Sequence, residues 1–360
     1  MKRRQILAGA GTGAAVAATT TLSAPAFAQN RRFRIEMVTS WPEALTTLYG
    51  TPQYFARRIG EMTDGAVQVR TYPGGAQVGP LEVYDAVSTG AFEACHTAPY
   101  YFIGKSPAHG FYTALPFGLT LAEQDSWLLA GNGQALWDEL NEPDNLVAFP
   151  GGNTGAQTGG WFNKEINSPD DLVGLRMRFP GHGGRTMAKA GVNVQQLPGG
   201  EVFTAMERGV LDAAEWVGPF DDQILGMHRV ARYYYMPSWA EASAMLGFYF
   251  NKDFWNDLPA DIRAQIKACC YECNAWMAAQ YQARNPVALR ELEDYGVEVR
   301  NFPESVLAAF ERGAEQVHEE DMQASSIYRK IYADWSEFRD TVRSWNQRTT
   351  HQYERFIYRS

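Results

Sequence analysis

The chain has 360 residues, of which 41 are acidic and 32 are lysine or arginine, so its formal net charge is −9. The first 28 positions contain three of the basic residues and no acidic one, so the remaining chain is three charges more negative than the whole. This charge argues against nucleic acid or an anionic membrane as a partner. The length exceeds the comfortable size of one hydrophobic core, so two lobes are expected.

The N-terminus is typical of a secretory signal peptide. A positive start over residues 2–4 precedes an Ala-rich apolar run over 6–17, and an Ala-x-Ala cleavage sequence ends at Ala28. We predict a signal over residues 1–28 and a mature chain that begins at Gln29. The arginine pair in the start leaves the twin-arginine and general secretory routes both open. No later stretch approaches about 18 consecutive apolar residues, so no membrane anchor is expected after cleavage.

The next part of the chain alternates between period-2 and helical patterns. This alternation predicts a parallel sheet covered by helices. The strand-like segments are 33–39, 67–72, 92–98 and 146–149, and the helical segments are 45–62, 81–88 and 121–140. The pattern restarts after residue 152 with extended segments 156–163, 176–179, 192–195, 211–216 and 244–251 and helices 184–190 and 202–208. One helix over 259–283, a strand over 297–301 and a long helix over 322–358 follow.

These elements predict two α/β lobes that exchange strands, followed by a helical tail. We place lobe I at residues 29–154 with about 245–285 returning to it. Lobe II is placed at residues 155–244 with about 286–320, and the C-terminal helical tail at 321–360.

Two polar residues lie near the ends of predicted extended segments, and ligands of α/β sheets bind at strand ends. Arg178 lies near the carboxyl end of the strand over 176–179, and an arginine there can hold a carboxylate through two parallel hydrogen bonds. The alternative is an ordinary surface arginine. Gln157 closes a stretch of small residues, so its amide has room to contact a ligand or a cation.

Two glutamates lie at the borders of apolar segments. Glu215 and Trp216 follow an apolar stretch, and Glu241 precedes the strand over 244–251. A buried glutamate needs a cation, an arginine or a proton donor. Two carboxylates and an amide oxygen suit Na⁺ or Ca²⁺ better than zinc, and Trp216 is suited to wall a pocket. The pattern alone does not bring Glu215 and Glu241 together.

The aromatic pair Tyr100 and Tyr101 fits either an organic-acid site or core packing, and both interpretations stay open. His96 is interpreted as a hydrogen-bonded core histidine, with a ligand contact as the alternative. The cysteines Cys269, Cys270 and Cys273 fall on one predicted helix and are interpreted as buried free thiols. A redox or metal site, or one bridge from Cys95 to that helix, is the alternative.

Three segments carry a family resemblance: 147–162, which includes Phe-Pro-Gly-Gly-Asn and Gln157; 175–178; and 213–219, which reads Ala-Ala-Glu-Trp-Val-Gly-Pro. With them the chain resembles the extracytoplasmic solute-binding receptors of TRAP (tripartite ATP-independent periplasmic) transporters, in the branch that binds α-keto acids. The resemblance implies a two-lobed periplasmic binding protein fold of the Venus-flytrap type, with crossing strands and a long C-terminal helix. It also implies a periplasmic location and delivery of ligand to separate TRAP membrane permease subunits.

The resemblance further implies a site between the lobes for a 2-oxo acid such as pyruvate and a cation, Na⁺ or else Ca²⁺. Arg178 would hold the ligand carboxylate, and Gln157 would touch both ligand and cation. Glu215, the carbonyl of Trp216 and Glu241 would complete the cation shell. The pocket walls would be Tyr100 and Tyr101. The stretch 238–243 departs from the pattern of the keto-acid receptors.

The branch also implies dimers that swap the long C-terminal helix. Residues 322–358 carry an apolar stripe at helical spacing that something must cover, either a second copy or the chain's own lobes.

Two other functions are open on the sequence. In an exported metal-dependent enzyme acting on organic acids, Glu215 and Glu241 would serve as acid and base. The sequence has no recognisable nucleophile–base pair, so a receptor without enzymatic activity is expected. A sensor ectodomain is disfavoured because no anchor follows the signal.

Overall fold

A computed structural model describes residues 32–359. The predicted signal over residues 1–28 and the cleavage before Gln29 lie outside the described residues. The strands are β1 (Phe33–Thr39), β2 (Val67–Tyr72), β3 (Ala94–Thr97), β4 (Leu146–Asn153), β5 (Gly160–Phe162), β6 (Arg176–Arg178), β7 (Asn193–Gln195), β8 (Ala213–Ala214), β9 (Tyr233–Met236), β10 (Met245–Asn251) and β11 (Glu298–Asn301). The helices are α1 (Gly50–Met62), α2 (Val83–Ser88), α3 (Leu121–Leu129), α4 (Gly133–Asn141), α5 (Gly181–Lys189), α6 (Gly199–Glu207), α7 (Pro219–Leu225), α8 (Lys252–Asp257), α9 (Ala260–Tyr295), α10 (Glu304–Ala324), α11 (Ser326–Asn346) and α12 (Thr350–Ile357).

The strands form two sheets, in the orders β2-β1-β3-β10-β4 and β11-β9-β5-β8-β6-β7. The prediction of a parallel sheet is wrong in one respect, because both sheets are mixed. β10 runs antiparallel to β3 and β4, and β5 runs antiparallel to β8 and β9. The reason is the chain path: β4 leads out of the first sheet toward β5, whereas β10 returns to it from β9. A strand that leaves the first sheet and a neighbouring strand that returns to it run in opposite directions. The predicted exchange of strands between the lobes therefore produces the antiparallel pairs.

Helix α9 is the longest described helix, with 36 residues, and it extends 12 residues beyond the predicted end at 283. Pro286 lies inside it and removes one helical hydrogen bond. The helix packs on α1, β4 and β10, and also on α7, which follows β8 of the second sheet in the chain. Buried packing along its length outweighs the local cost of the proline. No helix within the described residues is long and apolar enough to cross a membrane.

The four cysteines are free and buried. Cys269, Cys270 and Cys273 lie in one hydrophobic cluster with Phe55 and Phe248, under the first sheet. The prediction of buried free thiols is confirmed.

Two predicted helices are divided. The segment 121–140 breaks between α3 and α4, where Gly131 passes over Trp127; a Cβ atom at Gly131 would lie 2.7 Å from the Trp127 carbonyl oxygen. The continuous helix predicted over 322–358 is wrong, because it breaks at Ser325 and again at 347–349. The Ser325 side chain accepts a hydrogen bond from the Tyr328 N–H at 3.3 Å and so caps α11.

The first half of the tail packs on the chain's own core. Tyr328, Ile331 and Trp335 of α11 are buried against Phe111 and its neighbours.

Truncating Trp335 to alanine is expected to lower the free energy of unfolding by about 3–5 kcal/mol, because it leaves a cavity among large side chains. Denaturant unfolding followed by fluorescence measures this loss. The control Leu129→Ala removes a side chain that is 62% exposed and should change stability by less than about 0.5 kcal/mol. A loss below about 1 kcal/mol for Trp335→Ala would contradict this packing.

Candidate functional site

Arg178 and Glu215 meet at one sheet edge because their strands are parallel neighbours. In the register of β6 and β8, Arg178 lies beside Ala214, and Glu215 follows directly. One terminal nitrogen (Nη1) of Arg178 donates to Glu215 Oε2 at 2.9 Å and also to the Glu215 carbonyl oxygen. The guanidinium carbon lies 4.7 Å from the centre of the Trp216 ring. Parallel strands place their carboxyl ends together, which is why these residues converge.

The burial of Arg178 separates it from the other arginine of the same strand. Arg178 is fully buried, whereas the Arg176 side chain is 45% exposed and pairs with Asp212 at the surface. A buried guanidinium requires hydrogen-bond acceptors, and besides Glu215 it has the Leu197 carbonyl at 3.3 Å from Nε. The surface interpretation therefore applies to Arg176 and not to Arg178.

The first sheet contributes the two tyrosines. Tyr100 and Tyr101 lie in a single turn of 3₁₀-helix, Pro99–Phe102, that begins just after β3 ends. The second terminal nitrogen (Nη2) of Arg178 is 3.5 Å from the Tyr101 hydroxyl, and the two tyrosine rings are 5.1 Å apart. Elements from the two sheets thus face each other across Arg178.

Gln157 and Glu241 lie in the two segments that cross between the sheets, Gln157 between β4 and β5 and Glu241 between β9 and β10. The two segments are joined, because the Gln157 N–H donates to the Glu241 carbonyl oxygen at 3.2 Å. The Gln157 side-chain nitrogen donates to Thr154 Oγ1 at 3.1 Å, so its amide oxygen points away from Thr154.

A small cavity of about 10 Å³, about the space of one water molecule, lies between these elements. The predicted residues Tyr100, Tyr101, Gln157 and Trp216 line it. The remaining lining residues, which are not among the predicted site residues, are Trp41, Leu48, Ala98, Thr154, Val217, Ala244 and Leu246. The position of Trp41 could have been predicted from the sequence, because it follows the end of β1 as Tyr100 follows the end of β3. The apolar lining residues carry no such signal.

Trp41 is held in place by His96. The Trp41 indole N–H donates to His96 Nδ1 at 2.7 Å, and His96 Nε2 lies 3.0 Å from the Gly151 carbonyl oxygen. Burial lowers the pKa of His96 to about 3, so the ring is neutral. The interpretation of His96 as a hydrogen-bonded core histidine is confirmed, and its partner is a wall of the cavity.

The two glutamates are buried and electrostatically coupled. Burial raises the pKa of Glu215 well above its usual value, and the negative charge of Glu241 raises it further, while Arg178 opposes both effects. Burial likewise raises the pKa of Glu241, and the charge of Arg178 opposes it. One guanidinium therefore does not compensate two buried carboxylates, and an additional positive charge would stabilise the ionised pair.

Three buried oxygen atoms in this region have no hydrogen-bond partner: Gln157 Oε1, Glu215 Oε1 and Glu241 Oε2. Oxygen donors of this kind match hard cations such as Na⁺ and Ca²⁺. Across residues 32–359 there is no group of three or more His, Cys, Asp or Glu side chains able to hold a metal. The candidate site supplies only two carboxylates, so amide and backbone oxygens would have to complete a shell.

The chain matches known proteins over most of its length. Residues 37–325 match the model of bacterial extracellular solute-binding protein, family 7. A monocarboxylate 2-oxoacid-binding periplasmic protein from Nostoc sp. is 41% identical over 362 aligned positions, which cover 99% of each chain.

Two solved structures of TRAP transporter solute-binding proteins are also similar. One, from Bordetella bronchiseptica, is a dimer with co-purified calcium and picolinate; it has a TM-score of 0.90 and 39% identity and covers 91% of this chain and 97% of its own. The other, from Pseudoalteromonas atlantica, has bound sodium and pyruvate. It has a TM-score of 0.87 and 33% identity, and the match covers 89% of this chain and 98% of its own. These similarities confirm the two-lobed fold.

The extent of the family match, the identity to the Nostoc protein over the whole chain and the shared fold agree with each other. The chain therefore belongs to family 7 of the bacterial extracellular solute-binding proteins and is the solute-binding receptor of a TRAP transporter.

Proposed function

We propose that this receptor captures a 2-oxo monocarboxylate such as pyruvate, together with Na⁺ or Ca²⁺, and presents it to the TRAP membrane permease. The observation that carries the proposal is a fully buried Arg178 beside three buried oxygen atoms that lack hydrogen-bond partners. Relatives that are at least 33% identical contain calcium with picolinate or sodium with pyruvate, which supports the same pairing of anion and cation.

Arg178 is suited to hold the ligand carboxylate. Its Nη1 is committed to Glu215, but Nη2 has only the long contact to the Tyr101 hydroxyl. An arginine has five N–H donors, so Nη2 retains donors for an anion at the tyrosine side of the cavity. Tyr100 and Tyr101 would form the wall there, and the Gln157 amide would lie beside both ligand and cation.

The donor set fits a hard cation. Gln157 Oε1, Glu215 Oε1, Glu241 Oε2 and the Trp216 carbonyl would be the ligands, and all four residues are buried. The cation would supply the positive charge that the paired glutamates need, and it would attract the ligand's own oxygens.

The apolar side of the cavity favours a short monocarboxylate. It is lined by Leu48, Ala98, Ala244 and Leu246, which offer no basic partner for a second carboxylate. A second carboxylate placed there would be desolvated without a partner, which is costly. A methyl group, as in pyruvate, meets a matching surface.

Calorimetry tests the proposal. Titrating pyruvate into the protein is expected to release heat in NaCl or with CaCl₂ present, and much less in choline chloride with chelator. Succinate, which has two carboxylates, is the matched control and is expected not to bind. The absence of binding by any 2-oxo acid, or binding that ignores the cation, would refute the proposal.

We also propose that the receptor does not transform its ligand. Glu215 is paired with the buried Arg178 guanidinium, and the charge of the same guanidinium acts on Glu241. Proton NMR of pyruvate after long incubation with the protein is expected to show the ligand unaltered. Turnover above a heat-treated control would instead support the exported-enzyme hypothesis.

The domain assignments lead to further proposals. Residues 1–28 would direct export to the periplasm, so the exported chain should begin at Gln29 when its N-terminus is sequenced. The proposed lobes remain those given above, residues 29–154 with 245–285 and residues 155–244 with 286–320, and residues 321–360 would form the tail.

The end of the tail is proposed to form a homodimer. Trp345, Tyr353, Phe356 and Tyr358 are between 59% and 78% exposed, unlike the buried aromatic residues of the first half of α11. The Bordetella bronchiseptica relative is a dimer. The double variant Tyr353→Ser/Phe356→Ser is expected to sediment as a monomer in analytical ultracentrifugation, and Tyr295→Ser, also on an exposed aromatic, should not change the mass. A variant with unchanged mass would count against this interface.

A further inference from the structure

The loop that carries Glu215 and Trp216 is held by a carboxylate outside the cavity. Asp222 lies in α7 and is fully buried. Its Oδ1 accepts hydrogen bonds from the backbone N–H groups of Val217 at 3.2 Å and Gly218 at 3.1 Å. These are the two residues that directly follow Glu215 and Trp216, and Val217 itself lines the cavity.

The other oxygen of Asp222 is fixed to the second sheet. Oδ2 accepts from the Trp161 indole N–H at 2.8 Å and from the Tyr234 hydroxyl at 2.7 Å. Trp161 and Tyr234 lie on β5 and β9, and their rings stack at 4.0 Å. Four donors therefore converge on one carboxylate, which joins the loop rigidly to two neighbouring strands.

This anchoring matters because it holds the end of the loop opposite to Glu215. β8, which leads into it, has only two residues. The start of the loop is held by the Glu215 N–H, which donates to the Arg178 carbonyl oxygen at 3.1 Å. Asp222 holds the other end, so the direction of the Trp216 carbonyl depends on both attachments.

The negative charge of Asp222 would also favour a cation at the two glutamates. Its negative charge is among the causes that raise the pKa of Glu215, so it adds to the negative potential around the two buried glutamates. A cation bound by those glutamates would be attracted by this potential as well.

We infer that Asp222 is a positioning residue for the cation: it fixes the loop at 217–218 so that the Glu215 side chain and the Trp216 carbonyl face the cation together. The inference rests on the proposed function. It assigns to Asp222 control of cation affinity without contact with either ligand.

The adjacent residue Asp221 provides a matched control. It is equally buried, but its carboxylate accepts from the Tyr281 hydroxyl of α9 at 2.6 Å. None of its hydrogen bonds reaches the loop. Asp221→Asn and Asp222→Asn are therefore the same chemical change at neighbouring buried positions, with different partners.

The experiment measures pyruvate affinity by calorimetry over a series of NaCl concentrations, and repeats the series with CaCl₂. In Asp222→Asn an amide N–H₂ replaces one acceptor and faces donors, so we expect the apparent cation affinity to fall by about tenfold or more. Pyruvate affinity at saturating cation should stay within about threefold of wild type. Asp221→Asn should change cation affinity by less than about twofold.

Each result decides. An Asp222→Asn protein with the wild-type cation dependence, or with an equal loss of pyruvate affinity at saturating cation, would overturn the inference. Should Asp222→Asn fail to fold, Tyr234→Phe removes one hydrogen bond to Asp222 instead. It is expected to lower the apparent cation affinity by about threefold or more. An unchanged cation affinity in Tyr234→Phe would overturn the inference. A wild-type protein that binds no 2-oxo acid would refute the proposed function itself, and a wild type that binds alongside an unaffected Asp222→Asn refutes this inference alone.

Discussion

Replacing Arg178 with methionine is expected to remove carboxylate binding and to destabilise the fold at the same time. The variant deletes the donors proposed for the ligand, which is expected to cost about 2–5 kcal/mol of binding free energy. It also leaves the buried Glu215 without its cationic partner, which lowers the free energy of unfolding by about 3 kcal/mol. Calorimetry with pyruvate and urea unfolding measure the two losses separately.

Arg176→Met is the matched control, since it changes the same residue type two positions away on the same strand. Its salt bridge to Asp212 is half exposed, so the expected change in stability is about 0–1 kcal/mol, and pyruvate affinity should not change. Retained pyruvate affinity in Arg178→Met would contradict the role given to Arg178.

A double variant separates stability from binding. Arg178→Met/Glu215→Leu removes both members of the buried pair and replaces them with apolar side chains of similar size. Most of the lost stability is expected to return, because the Glu215 carboxylate is no longer buried without its cationic partner. Binding should stay absent, since both the anion donors and one cation ligand are gone. A double variant that is no more stable than Arg178→Met would show that the pair contributes little through its charges.

Replacing Glu241 with glutamine is expected to weaken cation binding by about tenfold to a hundredfold and to reduce the dependence of stability on pH. Burial raises the pKa of Glu241, so the folded, cation-free protein binds its proton more tightly than the unfolded chain does. The associated stability is fully present below the usual glutamate pKa of about 4.3 and is lost as pH rises through the raised value. The cation competes with these protons, so its apparent affinity should rise with pH.

Urea unfolding between pH 5 and pH 8 (chosen to lie above the usual glutamate pKa of about 4.3), with and without Ca²⁺, measures this behaviour. Burial also raises the pKa of Asp221 to about 7 and that of Asp222 to about 6, and these groups act in the same direction. The contribution of Glu241 is therefore the difference between wild type and Glu241→Gln over the same pH range. Stability of the cation-free wild type that increases with pH throughout would contradict the prediction.

Several elements follow from local pattern because their causes are local. The alternation over residues 33–39 and 67–72 predicts β1 and β2 with their observed bounds. Ser168 followed by Pro169 predicts the start of a short helix, and the structure has a capping box there, with Asp171 reaching back to the Ser168 N–H at 2.9 Å. The path of the cross-over strands and the breaks in the helical tail required the packed structure.

The sequence by itself determined the two-lobed α/β class and the short list of polar residues at strand ends, because strand alternation and helix capping depend on neighbours in the chain. The family was predicted from the resemblance carried by segments 147–162, 175–178 and 213–219. Only the tertiary structure decided which arginine of one strand is buried, since Arg176 and Arg178 have similar local surroundings and differ in what packs over them. It also decided that Glu215 and Glu241, from distant segments, influence each other's charge, and that Asp222 holds the loop between them. Such convergence arises from crossing strands that bring distant positions to one edge, and the local sequence pattern does not predict contacts between distant segments.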